Sequence, residues 1–265
     1  LDYILINQLN WGMAGAAWAT TISYLCCFAY VSWFFLSGKS ELKIGRTHFR
    51  LDMPILKEIS SLGAVTLARQ AVVSIVYLLM NNILFNLGGE TSVAIYAIIG
   101  RMLMFALFPV LGVTQGFLPI AGFNYGAEKY QRVRKSINLA ILYSCTLGLA
   151  IFAGIMFFAE DIVRIFTQNE IIIAETPSAM RWVFAATPIV ALQLIGAAYF
   201  QAIGKAIPAF LLTLSRQGFI FIPLVLILPK FYGETGVWVS FPLADLLSTI
   251  ITAYFLNREI VRTLK

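Results

Sequence analysis

Seven long apolar runs, separated by short polar loops, restrict this chain more than any other feature. They cover about 12–36, 59–87, 91–118, 137–158 (with a continuation toward 166), 179–203, 208–228 and 237–256. At ~1.5 Å of rise per residue, a helix of roughly 20 residues crosses the ~30 Å of hydrocarbon in a bilayer. Lipid offers no hydrogen bonds, so each run must satisfy its own backbone and is expected to be helical. The expected fold is therefore all-α, a polytopic membrane protein of about seven transmembrane helices. Composition agrees, with 60% hydrophobic residues, 12% charged residues and a mean hydropathy of +0.83. A soluble domain carries roughly 45–50% apolar and about 25% charged residues.

The loops alternate in charge. Lys39, Lys43, Arg46, Arg50 and Lys57 follow the first run, and Lys129, Arg132, Arg134 and Lys135 follow the third. Lys205 follows the fifth, and Arg258, Arg262 and Lys265 follow the seventh. The other side holds Glu90, Glu160, Asp161, Glu170, Glu175 and Glu234, with only Arg164 and Lys230 against them. The positive-inside rule puts the basic side, and with it the C-terminus, in the cytoplasm of a plasma (inner) membrane. The net charge of +6 comes from these loops and does not indicate a nucleic-acid partner. The chain opens on Leu1 without a positive n-region, so it reads as a piece of a longer chain with no signal peptide.

No enzyme is expected. The one histidine, His48, sits in a basic loop, away from any serine or cysteine partner. Cys26, Cys27 and Cys145 lie inside apolar runs and read as packing residues. Phosphate-loop and dinucleotide glycine motifs are absent. A seven-helix retinal protein would need a lysine deep in the last run, and 237–256 has none.

Polar groups inside the runs carry the functional information, because a charge at mid-membrane costs at least ~2.5–3.5 kcal/mol without a partner or a watery cavity. Arg69 and Gln70 stand in the second run, Arg101 in the third, Gln193 in the fifth, Arg216 and Gln217 in the sixth, and Asp245 in the seventh. Asp245, the one deep carboxylate, fits either pairing with an arginine or a proton or cation role. Arg216 fits snorkelling toward the cytoplasmic face. Tyr77, Asn81, Asn82 and Asn86 form a polar stripe that suits helix packing and cavity lining equally. The stretch from Arg101 to Lys135 is broken by Pro109, Gly112, Gly116, Pro119 and Gly122. Bending at Pro109, Gly112, Gly116 and Pro119 gives a hinge, and close helix packing at the glycines is the other reading.

An internal echo accompanies these features. Gly12-Met13-Ala14-Gly15-Ala16-Ala17-Trp18 opens the first run and Gly233-Glu234-Thr235-Gly236-Val237-Trp238 the seventh. If the echo is a repeat, the first run ends one six-helix unit and the other six form a second, parallel unit. The expected domains are the last helix of an absent N-terminal lobe (1–36), a basic cytoplasmic linker (37–58) and a six-helix C-terminal lobe (59–265).

The string Gly112-Val113-Thr114-Gln115-Gly116-Phe117-Leu118-Pro119-Ile120-Ala121-Gly122-Phe123-Asn124-Tyr125-Gly126-Ala127 resembles the eighth-helix exit of the multidrug and toxic compound extrusion (MATE) transporters. Gly12 to Thr20 resembles their passage into the sixth helix. Phe200-Gln201-Ala202-Ile203-Gly204-Lys205-Ala206 and Leu214-Ser215-Arg216-Gln217, with Pro223 and Leu228-Pro229, resemble their tenth-to-eleventh helix region. The resemblance covers essentially the whole chain. It implies a twelve-helix, two-lobe antiporter that exports organic, mostly cationic drugs or toxins in exchange for Na+ or H+ by alternating access. This chain would be its sixth helix and C-terminal lobe, working in the bilayer with the missing N-terminal lobe as partner. No cofactor or metal is implied beyond the coupling ion. The family's acid in the seventh helix falls here near Val73, beside Arg69 and Gln70, and that in the tenth near Gln193, so the coupling site is expected in the missing lobe. The expected substrate-cavity residues are Gln70, Tyr77, Asn81, Asn82, Arg101, Gln193 and Asp245. A lipid-linked saccharide flippase of the same superfamily is the alternative, since Arg69, Arg101 and Arg216 suit an arginine-lined cavity.

Overall fold

Glycines set where the helices turn. In the computed structural model, which describes residues 1–38 and 52–263, helix α2 runs Met53–Gly126 with one non-helical residue, Gly89, at φ 66° and ψ −150°. A straight helix over Gln70–Gly126 alone would reach ~85 Å, far more than a bilayer, so the break at Gly89 is a chain reversal between two spans. Such a φ suits glycine because any Cβ would clash there. The linker residues Lys39, Lys43, Arg46, His48 and Arg50, together with Lys265, lie outside the described residues, as does the side chain of Arg69.

Helix α1 spans Gly12–Leu36, α3 Tyr130–Phe166, α4 Glu170–Phe184, α5 Thr187–Ala202, α6 Ala206–Leu214, α7 Phe221–Ile227 and α8 Pro229–Thr263. π-Helical turns cover Tyr3–Gln8 and Ser215–Ile220. No strand occurs among the described residues. Five helices among them are long and apolar enough to cross a membrane, six when the pair α4 and α5 counts as one span. That count takes both halves of α2 as one helix, and the reversal at Gly89 accounts for its difference from seven.

The fifth span departs from the expectation of a single helix over 179–203. Its helix begins earlier, at Glu170, capped by the Asn169 side chain, which accepts from the Ile171 N–H at 3.0 Å. It then bends by 44° between α4 and α5. The cause is Pro188, at the start of α5, which has no N–H to continue the ladder of α4.

The chain forms two compact units, Leu1–Ser61 and Leu62–Lys265. In the first, α1 presents an almost wholly apolar, exposed surface, with only Gly15 and Ala19 buried. A Cβ on Gly15 would come within 2.9 Å of the Leu5 carbonyl oxygen, and Gly12 has φ +53°. The same local device recurs in the second unit. There Gly233 has φ +58°, and a Cβ on Gly236 would come within 2.6 Å of the Leu228 carbonyl oxygen. The glycine echo in the sequence is thus a repeated backbone geometry.

In the second unit α5 lies at the centre, packed on α3 and α8. Small residues let the backbones approach: a Cβ on Gly148 would stand 3.0 Å from the Thr187 carbonyl oxygen, and one on Gly196 would meet the Thr252 side chain. One buried cluster gathers Met80, Leu84, Ile99, Phe184, Phe221 and Trp238, and the other Phe117, Ile137, Ile195, Tyr199, Phe200 and Leu256.

Candidate functional site

The sixth span changes helical type where its charge sits. Ser215–Ile220, carrying Arg216 and Gln217, winds as a π-helical turn between α6 and α7. Pro223 withholds the N–H that would bond the Phe219 carbonyl, and the Ser215 hydroxyl donates to the Leu212 carbonyl at 2.8 Å. Both weaken the regular ladder. A π turn widens the helix locally and is tolerated at membrane depth where protein or a cavity surrounds it.

The turn aims Arg216 at α8. Its Nε donates to Asp245 Oδ1 at 2.5 Å, and the side chains are 16% and 7% exposed. Each charge is therefore neutralised by the other in a region where water is scarce. Of the two readings of Asp245 the structure shows the pairing with an arginine, and Arg216 turns to that partner inside the protein rather than snorkelling toward the face.

The pair forms one wall of a cavity of about 210 Å³ within the second unit. Two aromatic pairs form other walls. Tyr77 and Tyr96 stand with ring centroids 5.9 Å apart, and Phe221 and Phe241 4.6 Å apart. Gln217 and Met104 complete it, and Gly100, which has no side chain, leaves room beside the Tyr77 hydroxyl. The site thus offers faces of π-electron density, one amide and a compensated carboxylate. That set suits a flat or bulky organic cation.

Of the residues expected to line a cavity, the structure brings Tyr77 and Asp245 together here. Gln70, Asn81, Asn82 and Arg101 are exposed and do not line it. Asn86 Nδ2 donates to Asn82 Oδ1 at 3.1 Å, so that end of the polar stripe is bonded within its own helix. Gln193 is buried, and its Nε2 donates to the Leu212 carbonyl at 3.0 Å, tying α5 to α6 away from the cavity. Sequence reasoning passed over Tyr96, Phe221 and Phe241, which look like ordinary apolar-run aromatics. Gln217 was noted there only as a polar residue in a span, and Arg216 was given a cavity place only under the flippase alternative. The four hinge candidates lie in a stretch of α2 that stays helical through Pro109 and Pro119. Among the described residues no group of three or more His, Cys, Asp or Glu side chains stands close enough to hold a metal.

Comparison with known proteins fits this architecture. A family model described as MatE matches residues 66–227, more than half of the chain and most of the cavity wall. The chain belongs to the MatE family. Among MATE relatives, the multidrug export protein MepA of Staphylococcus aureus is 22% identical over 250 residues, covering 94% of this chain and 55% of that protein. MepA of Staphylococcus haemolyticus is 21% identical over 254 residues, covering 96% and 56%. The chain thus spans about half the length of these curated relatives. A MOP superfamily transporter from Pyrococcus furiosus superposes with a TM-score of 0.87 at 25% identity, over 100% of this chain and 60% of that one. The MATE multidrug transporter DinF-BH superposes at 0.84 with 35% identity, over 99% and 58%.

Proposed function

We propose that this MATE chain is the sixth helix and C-terminal lobe of a secondary antiporter, and that the protein exports organic, mostly cationic compounds in exchange for Na+ or H+. The observation that carries the reading is the cavity of Tyr77, Tyr96, Phe221 and Phe241 beside the Arg216–Asp245 pair. Aromatic faces attract cations by ~0.5–2 kcal/mol each, more where water is excluded. Asp245 supplies the counter-charge when an incoming cation competes with Arg216 for it. Relatives named as multidrug export proteins support the same substrate class. The coupling ion is assigned to the N-terminal lobe, and rocking of the two lobes exposes the cavity alternately to each side.

The flippase alternative asks for several cavity arginines. Among the described side chains Arg216 alone lines the cavity, and it is paired; Arg101 does not line it. The efflux reading is therefore preferred. Its test is expression of the natural full-length protein in a strain lacking its own drug pumps, followed by ethidium accumulation. Energy-dependent efflux that collapses when the ion gradient is dissipated supports the reading. No efflux of any cationic dye from a strain with verified membrane expression would overturn it.

A further inference from the structure

A second apolar hollow lies in the same unit, at the end of the bundle that carries the basic loops. It occupies about 520 Å³ between the α6–π-turn segment and α8. Its walls are Leu211, Phe219, Ile251 and Phe255, and Leu211, Phe219 and Phe255 are 47%, 62% and 44% exposed. Lys205, Arg258 and Arg262 form its rim with Glu259. The one carboxylate is already engaged, since Lys205 Nζ donates to Glu259 Oε1 at 2.5 Å and the Thr263 hydroxyl to the same oxygen at 2.9 Å. Neither Arg258 nor Arg262 forms an ion pair among the described residues.

We propose that this groove binds an anionic phospholipid of the cytoplasmic leaflet, headgroup on Arg258 and Arg262 and acyl chain along Leu211, Phe219 and Phe255. Charge complementarity names the occupant: three cations, Lys205, Arg258 and Arg262, face the single carboxylate of Glu259, and the positive excess with its two guanidinium forks fits a phosphate ester and repels an organic cation. Dimensions agree, because Arg262 to Ile251 is eleven residues of helix, ~16 Å, about one leaflet of hydrocarbon. The side agrees as well, since basic pockets between helices on the cytoplasmic face bind acidic headgroups. The proposal rests on membrane placement alone and is independent of the efflux reading.

The test is native mass spectrometry of the purified full-length protein, equilibrated with equimolar phosphatidylglycerol and phosphatidylcholine. Retention of phosphatidylglycerol in preference to phosphatidylcholine is expected. The Arg258→Gln/Arg262→Gln variant should hold it about thirtyfold less tightly. Leu211→Trp, which fills the groove without changing charge, should also lower retention, and Arg164→Gln, in the last turn of α3 on the opposite side, should not. Equal retention of the two lipids overturns the proposal. So does an undiminished preference in the double arginine variant, or a Leu211→Trp variant that keeps the lipid, which would reduce the site to a headgroup contact.

Discussion

Arg216 and Asp245 each carry a charge that the membrane interior penalises, and each is tolerable because the other is there. Removing one partner of such a buried pair costs about 3–5 kcal/mol, whereas replacing both by neutral groups is often near neutral. Asp245→Ala and Arg216→Ala should each lower the thermal stability of the detergent-solubilised protein strongly. The double variant should recover much of that loss. A double-mutant cycle by thermal unfolding checks this, and additive losses would show that the two charges do not depend on each other. Sequence made both charges conspicuous, as two charges deep in apolar runs. It left open whether they met, because a separation of 29 positions in sequence carries no geometry. The cavity aromatics were illegible for the opposite reason: Tyr96, Phe221 and Phe241 are what any lipid-facing or core segment also contains.

At the level of the elements, hydropathy and glycine were readable and proline was only partly so. The runs mark the spans because lipid demands long, self-satisfied helices, and Gly89 and Gly233 mark reversals because only glycine takes their positive φ without strain. The bend between α4 and α5 was invisible to hydropathy, which registers Pro188 as one more apolar residue. Proline also acts unevenly. Pro188 breaks a span and Pro223 borders a π turn, yet α2 remains helical through Pro109 and Pro119. Those two prolines, with Gly112 and Gly116, are proposed as a latent hinge, each proline having removed one backbone hydrogen bond in advance. Pro109→Ala with Pro119→Ala should slow dye efflux severalfold while membrane insertion stays normal, measured by efflux rate against surface expression. An unchanged rate would leave these residues as packing elements only.

For the whole molecule, basic residues gather at one end of the helices, exposed apolar side chains cover their outer faces, and an aromatic cavity with one ion pair lies inside the second unit. The central claim is that the cavity recognises cations through Asp245, with Arg216 as the competitor for that carboxylate. Charge gives the claim a direction that loss of folding would not reproduce. Asp245→Asn leaves Arg216 uncompensated and makes the cavity positive; Arg216→Gln leaves Asp245 free and makes it negative. The deciding measurement is the dissociation constant of tetraphenylphosphonium for the purified full-length protein and these two variants, made below their unfolding temperatures. Affinity should fall about tenfold or more in Asp245→Asn and should hold or rise in Arg216→Gln. Equal affinity in all three proteins, or weakening confined to Arg216→Gln, would contradict the account.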